Sequence, residues 1–185
     1  MRIVGGRLRG RALKSPSTLA IRPTSDRLRE SLFNILAHAY GDPVADARVI
    51  DVFAGTGALG FEALSRGARF ALLVDDGAEA RALIRANAES LGLGGQTRIF
   101  RRDATKMGLA PPGERFTLAF LDPPYGRNLA SAALQALRDG QWLVPGALAV
   151  VEEASAAALA APAGYAMIET RDFGETQLGF LRVTE

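Results

Sequence analysis

Between Arg48 and Val151 the chain repeats one pattern: a short apolar run, a turn or glycine loop, then residues at helical spacing. The expected strands are Val49–Ala54, Phe70–Val74, a third around Thr97–Arg102, Phe116–Leu121 and Leu148–Val151. Helical spacing falls between them over roughly residues 58–66, Glu79–Leu91 and 129–139. Near-continuous apolar strands joined through helices bury both their faces only in a mostly parallel sheet with right-handed crossovers. The expected fold is therefore α/β, Rossmann-like and doubly wound. Met167–Asp172 and Gln177–Val183, separated by a turn near Gly174, predict a C-terminal antiparallel hairpin that brings the sheet to seven strands. The alanine-rich stretch Ala154–Ala163 reads as helix or loop, and Trp142 as packing.

Ahead of this core lies a basic extension. Residues 2–15 alternate basic with apolar or glycine positions, which predicts a glycine-interrupted β-hairpin over the first 23 residues. Thr24 or Ser25 can cap the following helix, whose buried stripe is Leu28, Leu32, Ile35, Leu36 and Ala39. Arg27 and Arg29 are expected at its exposed N-terminal end. Residues 1–36 carry eight basic and two acidic groups; the rest carry 14 basic and 18 acidic. Arg7, Arg9, Arg11, Arg22, Arg27 and Arg29 are thus candidate contacts to a phosphate backbone. Residues 24–185 form the expected catalytic core of a single domain.

Composition removes other chemistries. The chain has no cysteine and one histidine, His38, so thiolate metal sites, disulfides and a Ser/His/Asp triad are not expected. No apolar stretch is long enough to span a bilayer and no secretory h-region opens the chain, so a cytoplasmic protein without metal or membrane partner is expected.

Ligand sites in open α/β sheets gather at the carboxyl ends of the strands. Asp51-Val52-Phe53-Ala54-Gly55-Thr56-Gly57-Ala58-Leu59-Gly60 occupies the first such turn. Its Gly55-x-Gly57-x-x-Gly60 spacing matches a dinucleotide fingerprint, so this loop alone admits a nicotinamide cofactor as well as S-adenosylmethionine. Asp75, ending the second strand, suits a ribose hydroxyl under either reading. Three features favour S-adenosylmethionine. Asp51 can anchor an amino-acid moiety, Asp103 can meet an adenine amino group, and Asp122-Pro123-Pro124-Tyr125 ends the fourth strand. Two prolines fix φ and remove two donors, leaving a stiff corner with a carboxylate, free carbonyls and an aromatic face. Such a corner can grip a planar base by its exocyclic amine and has no obvious task in hydride transfer.

The chain resembles the RsmD-type small-subunit ribosomal RNA guanine-N2 methyltransferases along nearly its whole length. The similarity is carried by Arg2-Ile3-Val4-Gly5-Gly6 and Gly10-Arg11, by Arg22-Pro23-Thr24-Ser25-Asp26-Arg27-Leu28-Arg29-Glu30-Ser31-Leu32-Phe33-Asn34, by Asp51–Gly60, Glu62–Ala68 and Asp122–Tyr125, and by Phe173-Gly174-Glu175-Thr176. Generic methyltransferases lack the Arg-Pro-Thr and Leu-Phe-Asn segments. The resemblance implies a class I S-adenosylmethionine-dependent methyltransferase, with Asp51, Ala54, Gly55, Gly57, Asp75, Asp76, Asp103 and Ala104 at the cofactor. It implies Asp122, Pro123, Pro124 and Tyr125 at the acceptor, and ribosomal RNA, within an assembled small-subunit particle, as substrate. Asp75-Asp76 stands where the family often has Glu-Lys. Adenine-N6 or glutamine-amide methylation uses the same corner logic, and an inactive RNA-binding assembly factor would need only the basic arm.

Overall fold

A computed structural model describes residues 1–17 and 24–184. Helix α1 (Asp26–Ala39) is followed by β1 (Arg48–Val52), α2 (Ala58–Ser65), β2 (Phe70–Val74), α3 (Ala78–Leu91), β3 (Thr97–Phe100), β4 (Phe116–Leu121) and α4 (Leu129–Asp139). The chain ends with β5 (Leu143–Ala154), β6 (Tyr165–Phe173) and β7 (Thr176–Val183). The seven strands lie in the order β3-β2-β1-β4-β5-β7-β6. The first five in this order pair in parallel, and β7 pairs antiparallel with both β5 and β6. The strand order reverses at β1, next to β4, which is where the doubly wound topology opens a crevice.

Successive side chains of the central strands serve two cores. Val49, Leu73, Leu118, Phe120 and Val150 pack with Leu32, Phe33 and Leu36 of α1 and with residues of α2 and α3. Ile50, Val52, Leu72, Leu121 and Val151 pack instead with Ala133, Leu134 and Leu137 of α4 and with Trp142. Trp142 is buried as expected and donates from Nε1 to the Gly108 carbonyl at 2.8 Å. Gly60, on the first turn of α2, lets helix and sheet meet, because a Cβ there would overlap the Leu73 side chain.

Several local expectations shift. β5 extends well beyond Leu148–Val151 in both directions, with a register shift in its pairing to β4 between Phe116 and Leu118. Residues 155–164 contain no helix; Ser155 N–H donates to the Glu175 carbonyl at 2.8 Å and turns fill the stretch. In α1 the buried residues are Arg29, Leu32, Phe33 and Leu36, whereas Ala39 is exposed. The N-terminal arm pairs with itself through Ile3 N to Arg11 O (2.9 Å), Gly10 N to Ile3 O (2.8 Å) and Leu13 N to Met1 O (3.0 Å). It does not extend into two regular strands: a single bridge joins Arg2 and Ala12, and residues Gly6–Leu8 form a 3-10 turn. The cause is α2. Ser65 Oγ donates to the Gly5 carbonyl at 2.6 Å and accepts from Leu8 N–H at 2.9 Å, pinning the tip against the helix end. Gly6, at φ +74°, has room for that approach only without a side chain.

Candidate active site

A cleft of about 570 Å³ opens across the carboxyl ends of β1, β2 and β4. That volume lies within the range of about 300–1,000 Å³ usual for small-molecule sites. At one end are Ala54, Gly55, Asp75 and Asp76, with Asp51 beneath them; at the other are Thr24 and the whole Asp122–Tyr125 corner. One cavity thus joins the loop expected to hold a cofactor to the corner expected to hold an acceptor.

Backbone donors organise the first end. Asp75 accepts Gly55 N–H on Oδ2 at 2.9 Å and Gly77 N–H on Oδ1 at 2.8 Å. A carboxylate has about four acceptor positions, so two remain for ligand hydroxyls. Burial raises the Asp75 pKa, while the two backbone bonds act in the opposite direction. Asp51 is fully buried and accepts Gly60 N–H on Oδ2 at 3.0 Å, at the first turn of α2. Desolvation pushes its pKa well above the ordinary carboxyl range. Between them the chain bends sharply: Phe53 sits at φ +58°, Gly55 at +59° and Gly57 at +81°. A left-handed phenylalanine is rare, and such backbone concentrates at functional loops.

The second end is a polar cluster on a rigid corner. Leu121 of β4 is paired with Val151 of β5, so the next residues, Asp122 and Glu152, emerge side by side. Thr24 Oγ1 lies 2.9 Å from Asp122 Oδ2 and 3.2 Å from Glu152 Oε2. The Tyr125 hydroxyl donates to Glu152 Oε1 at 3.2 Å and shares a 3.0 Å hydrogen bond with Thr176 Oγ1 of β7. The ring of Tyr125 is therefore held by its hydroxyl at the cleft wall.

Not every expected residue enters the cleft. Gly57 caps α2 but does not line the cavity, and neither do Asp103 and Ala104. Asp103 closes a turn, accepting Thr105 N–H at 2.9 Å and Thr105 Oγ1–H at 2.7 Å, and these bonds lower its pKa. Phe53, Thr56, Gly77, Ala78 and Glu79 join the expected residues in the cleft wall. A signal for Glu152 did exist in the sequence, as a carboxylate directly after the buried run Leu148–Val151.

The basic arm divides. Arg7, Arg9, Arg11 and Arg27 are exposed; Arg7 reaches Gln96 Oε1 at 3.0 Å and Arg11 the Ser90 carbonyl at 2.6 Å. Arg22 falls outside the described residues. Arg29 corrects the expectation of an exposed phosphate contact: its side chain is wholly buried. It donates to the Thr24 carbonyl at 3.0 Å, to the Arg2 carbonyl and to Asp26 Oδ1 at 2.8 Å, and its Nε lies 3.6 Å from Glu62 Oε2. Glu62, buried as well, also accepts Val4 N–H at 3.0 Å and Arg66 Nε at 2.8 Å. These residues fasten the arm to α1 and α2.

Sheet order and cleft position are those of the class I S-adenosylmethionine-dependent methyltransferases. A solved RNA methyltransferase from Salinibacter ruber in complex with S-adenosyl-L-homocysteine shares this fold, at a TM-score of 0.64 and 17% identity, covering 89% of this chain and 95% of that one. Similarity in sequence is more specific. A family model described as "Conserved hypothetical protein 95" matches residues 1–182. The ribosomal RNA small subunit methyltransferase D of Escherichia coli K12 is 42% identical over 153 residues, 82% of this chain and 74% of the relative. Its Haemophilus influenzae namesake is 32% identical over 94% of this chain and 89% of its own length. The solved E. coli protein yhhF superimposes at a TM-score of 0.82, with 33% identity and coverage of 100% and 98%. The chain belongs to the family of the ribosomal RNA small subunit methyltransferase D proteins.

Proposed function

We propose that this protein transfers a methyl group from S-adenosylmethionine to the exocyclic N2 amine of a guanine in small-subunit ribosomal RNA, acting on the assembled particle. The observation that carries the reading is the shared cleft, which sets Asp122–Tyr125 in the same cavity as Gly55 and Asp75. The residues suit that cofactor. Asp75 keeps acceptor capacity for ribose hydroxyls, and buried Asp51 offers a carboxylate to an ammonium group. The glycine turn lets backbone approach the ligand. When bound, the cofactor supplies an activated methyl group with its own leaving group.

The protein's contribution is positioning. An exocyclic guanine amine is a weak nucleophile because its lone pair is delocalised into the ring. Asp122 and the Pro123 carbonyl accept its two N–H groups and turn the nitrogen lone pair toward the cofactor end of the cleft. The Tyr125 ring stacks on the base, worth about 1–3 kcal/mol by analogy with single-stranded nucleic-acid sites. The proton leaves after transfer, with Asp122 the nearest base. Exposed Arg7, Arg9, Arg11 and Arg27 hold flanking phosphates, which position the RNA without specifying its sequence. A stacked target would have to be extruded into the cleft.

The test combines calorimetry with labelled methyl transfer. Purified protein should bind S-adenosylmethionine and label small subunits, and nuclease digestion should return N2-methylguanosine. Asp122→Ala should keep cofactor binding and lose transfer. Label in adenine-N6 or in protein glutamine would replace the acceptor assignment, and tight NAD binding without methyl transfer would replace the enzyme class.

A further inference from the structure

The Thr24 hydroxyl lies between two carboxylates that come from neighbouring strands, and it comes from neither strand. It sits 2.9 Å from Asp122 Oδ2 and 3.2 Å from Glu152 Oε2, on a residue only 8% exposed. Its backbone is fixed separately: buried Arg29 donates to the Thr24 carbonyl, while the next residue, Ser25, caps α1 by accepting Leu28 N–H at 3.1 Å. Glu152 in turn accepts the Tyr125 hydroxyl at 3.2 Å. One threonine hydroxyl thus sits within reach of the carboxylate proposed to grip the acceptor amine and of the carboxylate that accepts from Tyr125, with the shorter contact to Asp122.

We infer that Thr24 is a positioning residue for methyl transfer, setting the rotation of the Asp122 carboxylate that grips the acceptor; this inference rests on the methyltransferase reading above. A hydroxyl carries a single hydrogen and donates it to one oxygen at a time. Donation to Asp122 fixes the rotation of that carboxylate and leaves Oδ1 directed to other partners, among them an incoming N–H. Without the hydroxyl, the Asp122 carboxylate loses that constraint on its rotation, and small misplacements of a positioning group are costly in rate. The residue also carries the arm's position into the site, because Arg29 binds both the Arg2 and the Thr24 carbonyls.

Thr24→Val keeps the shape and removes the hydroxyl, whereas Thr24→Ser keeps the hydroxyl. With small subunits as substrate, Thr24→Val should lower kcat by about ten- to a hundredfold, the equivalent of one hydrogen bond to a charged group. KM for the subunit should change less than kcat, and S-adenosylmethionine affinity and Tm should stay near wild type. Thr24→Ser should recover most of the rate. Wild-type kcat in Thr24→Val would overturn the inference while leaving the methyltransferase reading intact. Parallel loss of Tm and cofactor affinity, unrelieved by serine, would overturn it in favour of a purely structural role. Wild-type protein that transfers no methyl group would remove the reading and this inference with it.

Discussion

Arg29→Met tests whether an arginine that the sequence places among RNA contacts is instead part of the protein's interior. The side chain is fully buried and meets Glu62 at 3.6 Å, Asp26 at 2.8 Å and two backbone carbonyls. Removing one member of a buried ion pair costs about 3–5 kcal/mol, because the remaining charge is left uncompensated. Here Glu62 keeps Arg66 at 2.8 Å and the Val4 N–H at 3.0 Å, which argues for the lower part of that range. The stranded carbonyls of Arg2 and Thr24 add on the order of 1 kcal/mol each if no water replaces the missing donor. The expected loss is about 3–5 kcal/mol, a fall in Tm of roughly 6–20 °C for a chain of this size. Urea unfolding followed by circular dichroism measures it as a shift in midpoint at constant slope. In a Glu62→Gln background the same substitution should cost about 1–2 kcal/mol less, since neighbouring charges couple. A loss below about 1 kcal/mol, or an equal loss in both backgrounds, would refute the buried-pair account. An exposed arginine would leave stability within about 0.5 kcal/mol.

Asp75→Ala should lower S-adenosylmethionine affinity by about ten- to a hundredfold, read by calorimetry, because it removes ligand acceptors and frees the Gly55 and Gly77 N–H groups together. Asp51 has a raised folded-state pKa, so the folded chain binds its proton more tightly than the unfolded chain. Its effect on stability is most favourable below the ordinary carboxyl pKa and is lost as pH rises through the folded value. Asp51→Asn should therefore raise Tm at neutral pH, flatten that slope and weaken the cofactor; a lower Tm at neutral pH would count against a costly buried charge. Replacing Arg7, Arg9 and Arg11 with Gln should leave Tm nearly unchanged and reduce the salt slope of RNA binding by about 0.7–0.9 for each phosphate no longer neutralised. An unchanged slope would assign the arm to packing.

The sheet was legible because β2 and β4 are largely apolar runs that end at Asp75 and Asp122, and β1 leads directly into a glycine loop. α4 matches its expected span, and the corner after β4 lies where topology puts ligands. What escaped were interactions between residues far apart in sequence. Thr24 is separated from Asp122 by 98 positions and from Glu152 by 128, so no local spacing announces their meeting. Arg29 was misplaced for a related reason. Helical periodicity marks which face is buried by its apolar residues, and a charge on that face becomes visible only when its partner, Glu62 on another helix, is known. The arm misled in a third way: its alternation is that of a hairpin, but Ser65 anchors the glycine tip and bends it into a 3-10 turn.

The Asp75 carboxylate spans two loops, one oxygen on the turn after β1 and the other on the turn after β2. Loops that are tied together before any ligand arrives lose little freedom when it does, so more of the interaction energy is expressed as affinity. The cradle is preassembled, with the Asp75 side chain reinforcing the Ala54 N–H to Val74 carbonyl bond (3.0 Å) that already ties the first loop to β2. Amide hydrogen exchange on the ligand-free protein should find Gly55 and Gly77 protected as a pair, and Asp75→Ala should release both at once.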